Sequence, residues 1–309
     1  MRRLVLLAVL LAGPALTQAP GAPFTVAETG RSYRQLQEAV DAIGDGAGTI
    51  RIAPGVHRDC AVQERGVVSF VAAQPGQVVF DRMVCESKAA LVLRGRGARV
   101  DGIVFRNLEV GDGNGAGIRI EKGNLEVANA MFLDSQSGIL SAEDPAGRIS
   151  IDHSTFAGLG KDPTGNGAHG IYVGDYGSLR VTNSRFERGT GGHYVKNRAA
   201  RVEILNNSFD DTRGRTTNYM IDLSNGAVGR IAGNEFVQGR EKDNYSTMIA
   251  VSPEGVQNSS EGLVIENNGA RLAPGAQKTT FVGAWSNEPM VIRGNRLGVG
   301  IAERGRRYL

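Results

Sequence analysis

The sequence is poor in the residues that usually announce a metal centre, a membrane span or a nucleic-acid surface. It has two cysteines, four histidines and one tryptophan, and aromatics make up only 6% of its 309 residues. No His or Cys stands at ligand spacing from Cys60 or Cys85, which argues against a zinc site. No apolar run approaches the roughly 20 residues that a membrane-spanning helix needs. The net charge is +3, and beyond the first residues no basic block of the kind that grips phosphates is present. A sustained heptad pattern is also missing, which excludes a long coiled coil. What remains is a glycine-rich chain, with 43 Gly, and the composition of short strands and turns.

The longest apolar stretch, Leu4 to Ala12, follows Met1-Arg2-Arg3 and leads through Gly13-Pro14 to small residues ending at Ala19. A basic start, a short apolar centre and a small-residue zone predict a secretory signal peptide over residues 1–19. Its removal takes Arg2 and Arg3 and lowers the net charge to +1. An exported protein, periplasmic or extracellular, is therefore expected. In an oxidising compartment the spacing of Cys60 and Cys85 predicts a disulfide between adjacent coils.

The strongest pattern is a repeat. A strand signature, usually Asn/Ser-x-Phe, places Phe at 105, 132, 156, 186, 209 and 236, and Ala270 and Leu297 then hold the same place. Intervals of 23 to 34 residues are too short for separate domains and indicate a solenoid of stacked coils. Two positions before the Phe column stand Ser154, Ser184, Asn207, Asn234, Asn268 and Asn295, which predicts an internal amide ladder. Each coil contributes two recognisable strands, one of the Gly-Ile-x-Val kind (Gly170-Ile171-Tyr172-Val173) and one carrying the Phe, such as Leu125 to Phe132. Ahead of the coils, Ser32-Tyr33-Arg34-Gln35 reads as a capping box, with Leu36, Ala39, Val40 and Ile43 at helical spacing. A helix over 33–43 is predicted to cover the open end of the first coil, with coils over about 49–300 in a single domain spanning 20–309.

This combination resembles the right-handed parallel β-helix proteins of the pectate lyase-like superfamily. The likeness rests on the capping helix, the entry strand Ile50-Arg51-Ile52-Ala53-Pro54-Gly55, and the stacked Gly-Ile-x-Val and Asn-x-Phe strands. It implies an all-β fold, a right-handed parallel β-helix solenoid with a short N-terminal capping α-helix. Members of that superfamily act on polysaccharides as lyases, esterases, hydrolases and epimerases or serve as adhesins, so the fold does not choose a reaction.

Chemistry is concentrated in three neighbouring strands around Tyr172, Lys196 and Asp222. Keeping the lysine out of an apolar interior requires Val173, Val195 and Leu223 to face inward. Alternation then sends Tyr194, Lys196 and Arg198 outward together, flanked by Tyr172 and Asp222. His193 either turns inward or caps its loop. His169, Tyr219 and Asp175 are placed as substrate contacts, and the inserts 158–168, 210–218 and 239–246 are expected to wall a groove suited to a polysaccharide or oligosaccharide. Asp210-Asp211 reads as a solvated turn.

On this patch Arg198 is suited to grip a uronate carboxylate. Lys196 is the candidate base, and Tyr172, Tyr194 or His193 the candidate acid. The expected function is that of a polysaccharide lyase or C5-epimerase on an acidic glycan. The alternatives are a glycoside hydrolase using Asp222 with a second carboxylate, or a non-catalytic glycan-binding surface protein. No cofactor is expected, since Asp222 alone is a thin Ca²⁺ site and the acidic cluster of the calcium-dependent lyases is missing. A monomer is expected.

Overall fold

The computed structural model describes residues 21–165 and 167–306, so the proposed leader lies outside the described residues. The chain winds as a parallel β-solenoid with three sheets of twelve, ten and ten strands among the described residues. Each sheet takes one strand from each coil. Asn124–Ala128 enters the first sheet, Met131–Leu133 the second and Ser137–Ser141 the third, and each pairs with the equivalent strand of the next coil.

A coil therefore carries three strands rather than the two read from sequence. The segment that includes the Phe is bent in its middle by one residue with left-handed backbone. Gly102, Asn129, His153, Asn183, Asn206, Gly233, Asn267 and Gly294 hold this corner on successive coils, with φ between 46° and 74°. Gly and Asn tolerate that conformation best, which explains their recurrence before the ladder residue. His153 is simply an exposed corner, its ring bonded to Asp152 at 2.6 Å.

The ladder follows at once. Asn207, Asn234 and Asn268 each donate from Nδ2 to Oδ1 of the next Asn at 2.9–3.0 Å, ending on Asn295. The same Oδ1 atoms accept the backbone N–H of the preceding rung, so the corner carries few unmet polar groups. The Phe column, joined at its start by Phe80, stacks with centroids 4.7–5.8 Å apart. Each such pair adds about 0.5–1.5 kcal/mol beyond area burial. Where Ala270 breaks the column, Phe281 from the third sheet packs edge-on against Phe236 at 5.5 Å.

The capping helix runs Leu36–Ile43, shorter than expected, and buries Leu36, Ala39 and Val40. Its cap is Gln35, whose backbone N–H reaches Glu38 at 3.3 Å, while Asp59 accepts the Leu36 N–H at 2.9 Å. Ser32 is not the cap: its hydroxyl pairs with that of Thr25 across a strand. Cys60 and Cys85 are disulfide-bonded. No described helix is long and apolar enough to cross a membrane.

Candidate functional site

The third sheet presents one outward column in strict register: Val92, Arg119, Leu140, Tyr172, Lys196, Asp222, Ala250 and Gly283. Its inward neighbours are apolar on nearly every coil, with Ile139, Ile171, Val195, Ile221, Ile249 and Val282 in one line. That apolar line drives the strands inward, and alternation fixes which side chains emerge.

The register differs by two positions from the one expected. Val173 pairs with Asn197 and Leu223, while Val195 pairs with Ile171. A polar Asn197 lies inside because its side chain bonds both polar groups of the Ala199 backbone, at 3.0 and 3.3 Å. Lys196 consequently stands directly between Tyr172 and Asp222.

Lys196, Asp222, Arg198 and a residue the sequence reading passed over, Glu254, form one ionic cluster. Lys196 Nζ donates to Asp222 Oδ2 at 3.1 Å and to Glu254 Oε1. Arg198 donates through Nε to the Tyr172 hydroxyl at 3.1 Å, and through its two terminal nitrogens to Asn225 and Glu254 Oε2. Side-chain exposure falls from 41% at Glu254 through 26% at Arg198 and 10% at Lys196 to 2% at Asp222. The cluster is thus open on one side and sealed on the other.

The histidines complete it. His169 Nδ1 accepts the His193 backbone N–H at 3.1 Å, which places its own proton on Nε2. The His193 ring meets His169 Nδ1 at 3.4 Å through Nδ1 and Asp222 Oδ2 at 3.4 Å through Nε2. Burial, reinforced by Lys196, holds His169 down to about 3, and burial with His169 and Lys196 nearby holds His193 well below the usual imidazole range. Both rings are neutral near pH 7. Burial pushes Asp222 above the ordinary carboxylate range despite Lys196. For Glu254 burial pulls upward, but hydrogen bonds from Lys196 and Arg198 overcome it and hold the group low. Glu254, Lys196, Asp222, His193 and His169 therefore form an unbroken chain of titratable groups.

His169 and Tyr172 stack at 5.8 Å and close one end of a cleft of about 360 Å³. Lys88, Asp112, Asn114, Arg119 and Leu140 line the rest of it. The cleft continues the same sheet face toward the N-terminal coils, and the insert expected as a wall contributes Gly167.

The solenoid was evident from these sheets, and the family comparison agrees: a right-handed beta helix region matches residues 89–273. The chain belongs to that family. Among solved structures it is similar to the pectin methylesterase from Aspergillus niger, at 14% identity and a TM-score of 0.49, over 84% of this chain and 88% of that one. It is also similar to the Streptococcus pneumoniae surface protein and adhesin PfbA, at 11% identity and a TM-score of 0.36, over 88% and 94% of the two chains. A comparison with curated proteins found no match.

Members of this β-helix patch differ in how far they match expectation. Tyr194 does not face outward. It is buried against Phe186 and Phe209, and its hydroxyl donates to Asp211 at 2.7 Å. The cause is local: regular pairing begins only at Val195, so alternation does not govern Tyr194. Nor is Asp211 a solvated turn. It is fully buried and binds Tyr194, both Thr217 contacts at 2.9 Å and Lys242 at 3.2 Å. This second buried network ties the inserts 210–218 and 239–246 together, helped by bridges from Gly192 to Thr217 to Lys242. It thereby fixes the backbone that carries His193.

Tyr219 is 8% exposed and packs between His193 and Trp285, with its hydroxyl accepting from Asn244 at 2.8 Å. It supports the histidines rather than presenting a polar tip. Asp175 is exposed on the turn after Val173 and makes none of the cluster's bonds. Among the described residues no three His, Cys, Asp or Glu gather as a metal site, and Asp222 Oδ2 is already committed to Lys196, so the residues do not fit Ca²⁺. Asn225 and Glu254 were missed because each lies just beyond a strand of a later coil, 27 and 56 residues from Arg198.

Proposed function

We propose that this protein is an exported enzyme that removes the proton next to the carboxylate of a uronate sugar, as a polysaccharide lyase or C5-epimerase does. One observation carries the reading: two cations, Lys196 and Arg198, converge on a single carboxylate position beside a phenol and two neutral imidazoles. A carboxylate held there loses its negative charge to the cations, which makes the adjacent C5 proton more acidic.

The base role expected for Lys196 is better assigned to Tyr172. An ammonium bonded to two carboxylates has no lone pair to offer. Arg198 bonds the Tyr172 oxygen through Nε and the carboxylate position through a terminal nitrogen of the same fork, so C5 of a bound uronate comes next to that oxygen. Tyr172 acts as a phenolate, its own proton having left to solvent and its oxygen held by Arg198; it takes the C5 proton, the electron pair forms the C4–C5 double bond, and the C4–oxygen bond breaks. His169 passes its Nε2 proton to the departing oxygen as its Nδ1 takes the ring proton of His193 and a protonated Asp222 returns one to His193 Nε2, so both rings end neutral and Asp222 ends ionised. Return of a proton to the opposite face of C5 gives epimerisation instead.

The substrate is a polymer on this reading, since the 360 Å³ cleft extends the site along the sheet past Arg119 and Lys88. The Cys60–Cys85 disulfide fits an oxidising compartment and hence export. Incubation with uronate polysaccharides tests the activity. A lyase gives ultraviolet absorbance from the new double bond, and Tyr172→Phe lowers the rate by about 10²–10⁴-fold.

Glycosidic hydrolysis is the second reading, favoured by the opposed shifts of Asp222 and Glu254 on one ammonium, an acid and a carboxylate side by side. It produces reducing ends without ultraviolet absorbance, whereas a glycan-binding protein produces neither.

A further inference from the structure

Glu254 is the odd member of the cluster. Lys196, Asp222 and Tyr172 belong to adjoining strands and Arg198 follows one of them, but Glu254 arrives from a turn two coils beyond Lys196. The turn itself is firmly held. Glu254 N–H donates to Ser224 O at 2.9 Å, the N–H groups of Gln257 and Asn258 donate to Asn225 O at 3.0 and 2.9 Å, and the Asn258 side chain donates to Arg198 O at 3.0 Å. Only the Glu254 side chain is loosely bounded, being 41% exposed while both of its oxygens touch cations.

A half-exposed carboxylate spanning Lys196 and Arg198 has the shape and charge of the group that a uronate would place there. We propose that Lys196 and Arg198 form a carboxylate-binding subsite that Glu254 keeps filled until the carboxylate of a uronate sugar displaces it. This builds on the uronate reading above and adds that binding is an exchange of one carboxylate for another. The turn stays anchored through its backbone, so the exchange needs only a change of side-chain rotamer. The exchange keeps Lys196 and Arg198 paired throughout, and no buried cation is left bare. It also makes the subsite selective: a neutral sugar offers nothing to replace the lost ion pairs, and the resident carboxylate excludes it.

Two variants and three probe sugars test the exchange. Glu254→Ala vacates the subsite, and millimolar galacturonate is expected to raise its melting temperature more than galactose at the same concentration, and more than it raises that of the wild type, where Glu254 must first be displaced. Equal responses to the two sugars in Glu254→Ala overturn the proposal. Glu254→Gln preserves the side-chain shape with weaker competition, and trigalacturonate is expected to bind it on the order of tenfold more tightly than it binds wild type. Unchanged or weaker binding also overturns it. The two claims fail separately. Galacturonate rescue without turnover of any uronate polymer leaves the subsite standing and removes the enzymatic reading. Turnover of a uronate polymer without rescue or tightening removes the exchange and leaves the activity.

Discussion

Arg94 and Arg198 hold the same place in their coils, each just past a strand of the third sheet, yet they live in different electrostatic worlds. Arg94 sits in an open network with Glu64, Glu86 and Glu121, in which Lys88 also bonds Glu86 and Glu121. Its carboxylates are 21–64% exposed, so water screens the network and each pair contributes little. Arg198 sits beside a lysine that is 10% exposed and an aspartate that is 2% exposed, and among the described residues Asp222 Oδ1 meets no hydrogen-bond donor. The first network is balanced by acids at a surface. The second keeps buried charges, neutral imidazoles and an unmet carboxylate oxygen together, a costly arrangement that a scaffold role does not require.

The largest expected effect comes from Lys196→Ala, which strands Asp222 without its cation. Urea unfolding should show a loss of about 3–5 kcal/mol. A loss below about 1 kcal/mol would place this cluster in the same class as the Arg94 network. The paired change Lys196→Met with Asp222→Leu sharpens the point. Replacing both charges by apolar groups should restore most of the lost stability while leaving no turnover. A double variant as unstable as the single one contradicts that account of the cluster.

Acid should separate the two regions next. His169 is held at about 3 and His193 also lies below its unfolded value, so the unfolded chain binds more protons than the fold as the pH drops. Their contribution is complete above about 6.5 and is lost progressively toward about 3. In the open network, Glu86 is held at about 2 by Arg94 first and Lys88 second, so its contribution fades only as the pH falls from about 4.5 toward about 2. Unfolding measured across this range should therefore weaken first through the histidines, and His169→Gln should reduce the change between pH 6.5 and 5. A flat wild-type profile over that interval counts against the buried pair. Smallest of all, Arg94→Ala should cost about 0–1 kcal/mol, an effect that shrinks in 1 M salt, and leave turnover unchanged.

The same contrast explains what the sequence could reveal. Stacking repeats its residues from coil to coil, so the Phe column and the Asn ladder were legible from spacing, and the disulfide from spacing joined to the expected export. The column Tyr172, Lys196 and Asp222 was reached in outline, because an ammonium cannot be left unpaired in an apolar core. Its register was misjudged because Asn197 satisfies itself locally and passes as an inward residue. Glu254 and Asp211 escaped for a different reason: their partners come from other coils through turns that do not repeat, and no periodicity marks them. Tyr194 shows the limit of alternation, which holds only within a regular strand, and here the strand begins at Val195.

The most direct test of the central claim is proton NMR of uronate oligosaccharides incubated with the protein in D₂O, with Tyr172→Phe run beside it. Lyase and epimerase share C5 proton removal, so the account expects the C5 proton signal to diminish with wild type and to persist with Tyr172→Phe. A C5 signal that survives wild-type enzyme in every uronate would contradict it.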